Sequence, residues 1–384
     1  MGTSGTAETP AGSDRDGGDD VSCRFCRSGQ GEIVLDLGNQ PASDHFPLAT
    51  DPGPDPTYPL RMWLCARCGL AQLAEDPTVP AEPRGREPDA LVTQAAEAVS
   101  RVAAAGLLPP TGSVAEFGSP HGGSWLPLLT DRGLRVAADD EPADVVIDCF
   151  GLMHGADQQA ALAQRAARLG PGGILLLQFH SLATIVRTGQ WNALRHGHYA
   201  YYSTPVLTAM LESVGLTART GWRFQLYGGT VLIAATRDGE PNDALCALLA
   251  EELAVGVLKP HVVGGLQATA QDAASALTQW ATQQRAEGHR VLGYSAASRS
   301  IALLCRAGLT PELLPAIADA APAKRGRRMP GTGIPVITTD ELIAARPDAV
   351  LLFVPDLLPE VRASLPQIES EGGRWVLAEG SAGL

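Results

Sequence analysis

Two Cys-x-x-Cys pairs, CRFC at residues 23–26 and CARC at residues 65–68, constrain this chain more than any other feature. Paired knuckles separated by 38 residues can bring four thiolates into one tetrahedron, which is what a closed structural zinc site requires. Cys23, Cys26, Cys65 and Cys68 are therefore the expected metal ligands, and residues 21–80 the expected zinc-binding domain. Disulfides would need an oxidising compartment, and a redox pair would not need a second copy. Cys149, Cys246 and Cys305 sit in apolar runs and read as small core residues.

Residues 1–20 are Gly-, Ser-, Thr- and Asp-rich; too little of them is apolar to offset the entropy of ordering, so a disordered tail is expected. They lack the apolar core of a secretion signal, and the chain has no run of about eighteen apolar residues. The expectations are a cytoplasmic location and no membrane partner. A net charge of −13 across 384 residues argues against nucleic acid, which demands clustered Lys and Arg. A length of 384 with 45% hydrophobic residues supports two or three cores.

The Pro-rich, charged residues 75–89 read as a linker. Beyond them, apolar strand-like runs (SVAEF, DVVIDCF, ILLLQF) alternate with helical patterns, with a turn expected at PGG (residues 171–173), and this alternation means a parallel sheet covered by helices. We expect a Rossmann-like domain over residues 90–237. A long helical segment at residues 242–287 then leads into a second βα series, the C-terminal α/β domain of residues 242–384. The fold class is α/β in three parts.

EFGSPHGG (residues 116–123) occupies the first strand-to-helix turn, where glycine lets a ligand approach backbone N–H groups. It lacks the spacing of a phosphate-binding fingerprint and has no Walker lysine. Asp139, after the next strand, stands where such folds hold ribose hydroxyls; a tight turn and a solvated strand end explain both equally well. RHGHYAYYS (residues 195–203) gathers two histidines and three tyrosines. As a strand it would put Tyr199, Tyr201 and Ser203 on one side and His198, Ala200 and Tyr202 on the other. A metal reading lacks a third ligand; His180, at a strand end, is the nearest candidate and suits a substrate pocket equally.

Taken in order, CRFC, VLDLGNQPASDHF, LCARCGLAQL, EFGSPHGG, RLGPGG, RHGHYAYYS, LYGGT, VLGYSAASRS and RGRRMPGTGIPV resemble the motifs of the three-part sugar C-methyltransferases. That resemblance implies S-adenosylmethionine as cofactor and a nucleotide-activated 4-keto-deoxysugar as substrate, in secondary-metabolite (antibiotic) biosynthesis. It implies His198 as general base, His196 and Tyr201 as pocket residues, and Glu116, Gly118, Ser119, Gly122 and Asp139 at the cofactor. The chain also departs from the pattern. Arg195 and Gly197 replace a tyrosine and a glutamate, Pro120 and His121 an Asn-Asp pair, and a helix and strand are missing after Asp139. These departures keep two alternatives open, proton transfer on a keto sugar without methyl transfer and a non-catalytic partner of another pathway enzyme.

Overall fold

The computed structural model describes residues 21–51, 53–78, 89–118, 123–226 and 228–378. The expected tail at 1–20 and most of the expected linker lie outside them. Three sheets organise the described residues.

The first sheet pairs β1 (Gly31–Pro41) antiparallel with β2 (Thr57–Cys65), and β2 with β3 (Ala71–Leu73). Its fourth strand comes from far along the chain, Ala200–Tyr201, which pairs antiparallel with β3. Gly31 is forced by packing: a Cβ there would lie 2.2 Å from the Trp63 ring. Leu60, Met62, Trp63, Leu64 and Cys65 of β2 are all buried, so both faces of the second half of this strand are covered.

The central sheet follows helix α1 (Asp89–Ala104). Its elements are β4 (Gly112–Phe117), α2 (Leu126–Thr130), β5 (Leu134–Val136), β6 (Ala143–Cys149), α3 (Gln158–Ala167), β7 (Leu169–His180), α4 (Leu182–Thr188), β8 (the Ala200–Tyr201 strand already met), α5 (Thr204–Glu212), β9 (Thr217–Phe224) and β10 (Thr230–Thr236). The order is β5-β4-β6-β7-β10-β9, parallel from β5 to β7 and antiparallel thereafter. Val145, Val146, Ile147, Leu175 and Leu176 are all buried, since central parallel strands are covered on both faces. The turn expected at PGG is a bulge inside β7: Gly172 takes φ +71°, and the register against β6 shifts there. Glycine is needed because β7 continues through a conformation that a Cβ would strain. Strand β5 is the sheet edge, and only residues 137–142 connect it to β6.

The third part runs α6 (Asp243–Val255), α7 (Pro260–Val263), α8 (Leu266–Ala286), β11 (Val291–Tyr294), α9 (Ile301–Arg306), β12 (Ile317–Ala318), β13 (Val336–Ile337), α10 (Thr339–Ala344), β14 (Ala349–Leu352), α11 (Leu358–Ser364), α12 (Gln367–Ser370) and β15 (Arg374–Leu377). Its sheet is wholly parallel, in the order β13-β12-β11-β14-β15. Leu35, Leu60 and Met62 of the first sheet share one apolar cluster with Leu266, Ala270, Leu277 and Leu304 of this part. Asp55 accepts a two-pronged bond from Arg328, at 2.6 and 2.8 Å. The cysteine-bearing sheet is therefore built into the body of the molecule. Cys246 corrects the sequence reading: it is exposed on α6, because α6 packs through Leu245 and Leu248. Among the described residues no helix is long and apolar enough to cross a membrane.

Candidate functional site

The four knuckle sulfurs converge. Cys23 Sγ lies 3.6 Å from Cys68 Sγ and Cys26 Sγ 3.6 Å from Cys65 Sγ, with all four within 4.8 Å of one another. A tetrahedral ion bound at about 2.3 Å to each sulfur sets S···S near about 3.8 Å, so the cage fits a tetrahedral metal. Arg27 (φ +62°) and Gly69 (φ +76°) turn the two knuckles, and the Phe25 and Cys26 N–H groups point at Cys23 Sγ at 3.5 and 3.4 Å.

A cavity of about 1060 Å³ lies between the central and third parts. In the central sheet the order reverses between β4 and β6, and ligands of open α/β sheets bind outside the strand ends at such a switch point. Glu116, Phe117, Phe150 and Met153, from those strand ends and the loops after them, line one wall; Ser295, Ser298, Arg299 and Lys324 line the facing one. Asp148 organises the loop after β6. Nearly fully buried, it accepts the N–H groups of Gly151 and Leu152 at 2.7 and 2.9 Å and pairs with Arg165 Nε at 2.8 Å. Burial pushes its carboxyl up, against the opposing pull of Arg165. Phe150 in that loop takes φ +61°, a conformation a non-glycine residue holds only when its surroundings fix it.

Across the cavity, Lys324 Nζ donates to the Ala296 carbonyl at 2.7 Å and lies 3.7 Å from Asp319, which accepts the N–H groups of Ala296 and Ala321 at 2.8 Å each. This lattice fixes the turn after β11, where Ser295 takes φ +72°.

His198 and Tyr201 line the cavity. Arg195 Nε lies 2.9 Å from His198 Nε2 and 3.4 Å from Nδ1, and Arg195 Nη1 donates to Ser298 Oγ at 2.6 Å. A guanidinium can only donate, so the imidazole nitrogen facing it carries a lone pair. His154 packs edge-on against His198 at 4.7 Å between ring centroids, and its Nδ1 meets the Gly197 carbonyl at 2.8 Å. Burial, then the Arg195 charge, pull His154 down to about 4 against that hydrogen bond. Tyr201 is fully buried, which raises its phenol above the usual range; its oxygen accepts the Arg195 N–H at 3.1 Å.

The segment reaches this position by leaning on the first sheet. Gly197 N–H donates to Asp76 Oδ2 at 2.6 Å, Leu73 N–H to the Tyr199 carbonyl at 3.2 Å, and the Arg24 guanidinium covers the Tyr199 ring at 4.7 Å. Only Ala200–Tyr201 is strand, not the whole motif, since Gly197 turns at φ +81° just before it.

The other sequence-expected residues divide. Glu116 reaches the cavity wall, yet its oxygens accept from Ser124 Oγ and the Trp125 N–H, both at 2.6 Å, so it shapes its own loop. Gly118 closes β4 with open space where a Cβ would project, leaving the backbone approachable by a ligand. Ser119 and Gly122 lie outside the described residues. Asp139 is exposed on the turn after β5 and is not part of the cavity wall. His196 is buried against the Pro59 carbonyl (3.2 Å) and the Tyr58 ring, off that wall; burial lowers its imidazole. His180 does line the cavity. Sequence reasoning missed His154 and the facing wall, although HG in FGLMHG follows a strand end and so carried a usable signal.

A family model described as "C-methyltransferase C-terminal domain" matches residues 225–378, and one described as "Putative zinc binding domain" matches residues 23–82. The chain is 24% identical over 399 aligned positions to the C-methyltransferase NovU of Streptomyces niveus, covering 92% of this chain and 94% of that protein. Among solved structures, a protein of Bacillus halodurans C-125 described as a "putative methyltransferase" matches 37% of this chain and 99% of its own at 12% identity and TM-score 0.30. The magnesium protoporphyrin IX methyltransferase of Synechocystis PCC 6803, with bound SAH, matches 39% and 84% at 13% identity and TM-score 0.29.

Proposed function

We propose, from the matches to the C-methyltransferase C-terminal and zinc-binding family models and to the C-methyltransferase NovU, that this chain methylates a carbon beside the keto group of a nucleotide-linked 4-keto-deoxysugar, with S-adenosylmethionine as methyl donor and His198 as base. One observation carries this reading: His198 and Tyr201 open onto the same cavity as the ends of β4 and β6, so a proton-removing imidazole and the cofactor-side loop share one cleft. When bound, the cofactor supplies a methyl group on a positive sulfonium, an electrophile that needs no metal. Glu116 and Gly118 would hold it, together with Ser119 and Gly122 outside the described residues, and Phe117 and Phe150 would flank it. His198 removes the proton that the neighbouring ketone acidifies. Tyr201 holds the base's segment through the Arg195 N–H. His196 serves that segment from behind, through Pro59. The four cysteines hold a structural zinc ion.

A second reading, proton exchange on the keto sugar without methyl transfer, draws support from Asp139, which sits on an exposed turn off the cavity wall beside a sheet edge with no further strand among the described residues. Calorimetric titration with S-adenosylmethionine separates the two. Binding below millimolar favours methyl transfer; no heat up to millimolar cofactor, with solvent deuterium still entering the sugar, leaves only proton exchange. His198→Ala abolishes the deuterium signal under either reading.

A further inference from the structure

The geometry points to Arg195 as the oxyanion-holding residue of this site, a guanidinium that caps His198 in the free protein and receives the negative charge that develops on the sugar's carbonyl oxygen. This inference rests on the proposed keto-sugar chemistry and extends it to a residue for which that chemistry had no role.

Three observations carry it. Arg195 lines the cavity, half-buried, and among the described residues no carboxylate pairs with it. Its Nε engages the base at 2.9 Å and its Nη1 is clamped to Ser298 Oγ at 2.6 Å, which fixes the fork between the two walls. Its Nη2 makes no hydrogen bond to the described protein and is left for a ligand. A half-buried guanidinium in a cleft, with no carboxylate partner among the described residues, is a receptor for negative charge. His154, on the far side of His198, is held down to about 4, so it adds no second cation near neutral pH.

The step balances. His198 takes the proton from the carbon beside the ketone; the C–H electron pair becomes the C=C bond, and the carbonyl π pair moves onto oxygen. Arg195 then donates to that oxygen in place of the imidazole, whose lone pair now holds the proton. Preorganised donors at a developing oxyanion are worth about 10²–10³ in rate.

The rival role for Arg195 is a strap between the two walls, and the test separates them. Solvent deuterium exchange into a nucleoside-diphosphate 4-keto-6-deoxyhexose is measured for wild type, Arg195→Gln, Arg195→Lys and Ser298→Ala. The expected result is an exchange rate about 100-fold lower in Arg195→Gln with KM within about threefold, partial recovery in Arg195→Lys, and a smaller loss in Ser298→Ala, which removes the clamp on the fork but keeps its charge. An Arg195→Gln rate within threefold of wild type overturns the proposal, as does a Ser298→Ala loss equal to that of Arg195→Gln. The ¹⁵N spectrum of the His198 imidazole gives a second measurement independent of turnover. Its Nε2 signal should move in Arg195→Gln, and an unmoved signal also overturns the proposal. If wild type exchanges nothing while that signal does move, the keto-sugar reading fails and Arg195 is reduced to a strap.

Discussion

At the scale of residues, His154 and Asp148 show what burial does to groups near the cleft. His154 is neutral in the folded protein down to about pH 4 but titrates near 6.5 when unfolded. The unfolded chain therefore binds the extra proton, and stability is lost as pH falls from 6.5 towards 4, by at most about 3 kcal/mol from this group. Urea unfolding of wild type and His154→Gln at pH 7.5 and 5.0 checks it: the variant should lose less stability between the two pH values. Asp148→Ala leaves Arg165 buried without its partner and frees two loop N–H groups, so we expect a loss of about 3–5 kcal/mol in the same assay at pH 7.5. The cysteines were legible in the sequence because their signal is local spacing. The place of His198 on the cavity wall was legible only through a motif, and the contacts of Arg195 and His154 escaped because they depend on which rings and walls meet across the fold.

At the scale of elements, β8 is the join that matters. Two residues of strand, paired with β3, hang the His198 segment on the cysteine-bearing sheet, and Arg24, between two of the cysteines, reaches the Tyr199 ring and the Leu73 and Ala156 carbonyls. Stripping the metal with a chelator, or Cys68→Ser, should loosen the knuckles and speed hydrogen exchange at residues 197–203, while β11 at the centre of the third sheet stays protected; equal protection at residues 197–203 with and without metal would refute this coupling. The parallel strands were readable because a strand covered on both faces is apolar throughout. The bulge at Gly172 was not, since a glycine with positive φ reads the same way in a turn and within a strand.

At the scale of the whole molecule, the sheet that carries the cysteines and the third part share one apolar cluster, and the Asp55–Arg328 pair ties them together. Composition and periodicity could announce three sheets but not their docking, because the contacts that close the cleft lie more than 100 residues apart, as between Arg195 and Ser298. Asp139 failed to join the site for a related reason: with so short a connection after β5, the edge strand turns straight back to β6, and the acid is left in solvent. The central claim is that one cleft brings base, keto sugar and methyl donor together. The most direct measurement is NMR of a nucleoside-diphosphate 4-keto-6-deoxyhexose incubated with ¹³C-methyl S-adenosylmethionine and the intact chain. The label should appear on a carbon adjacent to the ketone, about 10²–10⁴-fold more slowly with His198→Ala; no transfer of label, or transfer at an undiminished rate in His198→Ala, would contradict the account.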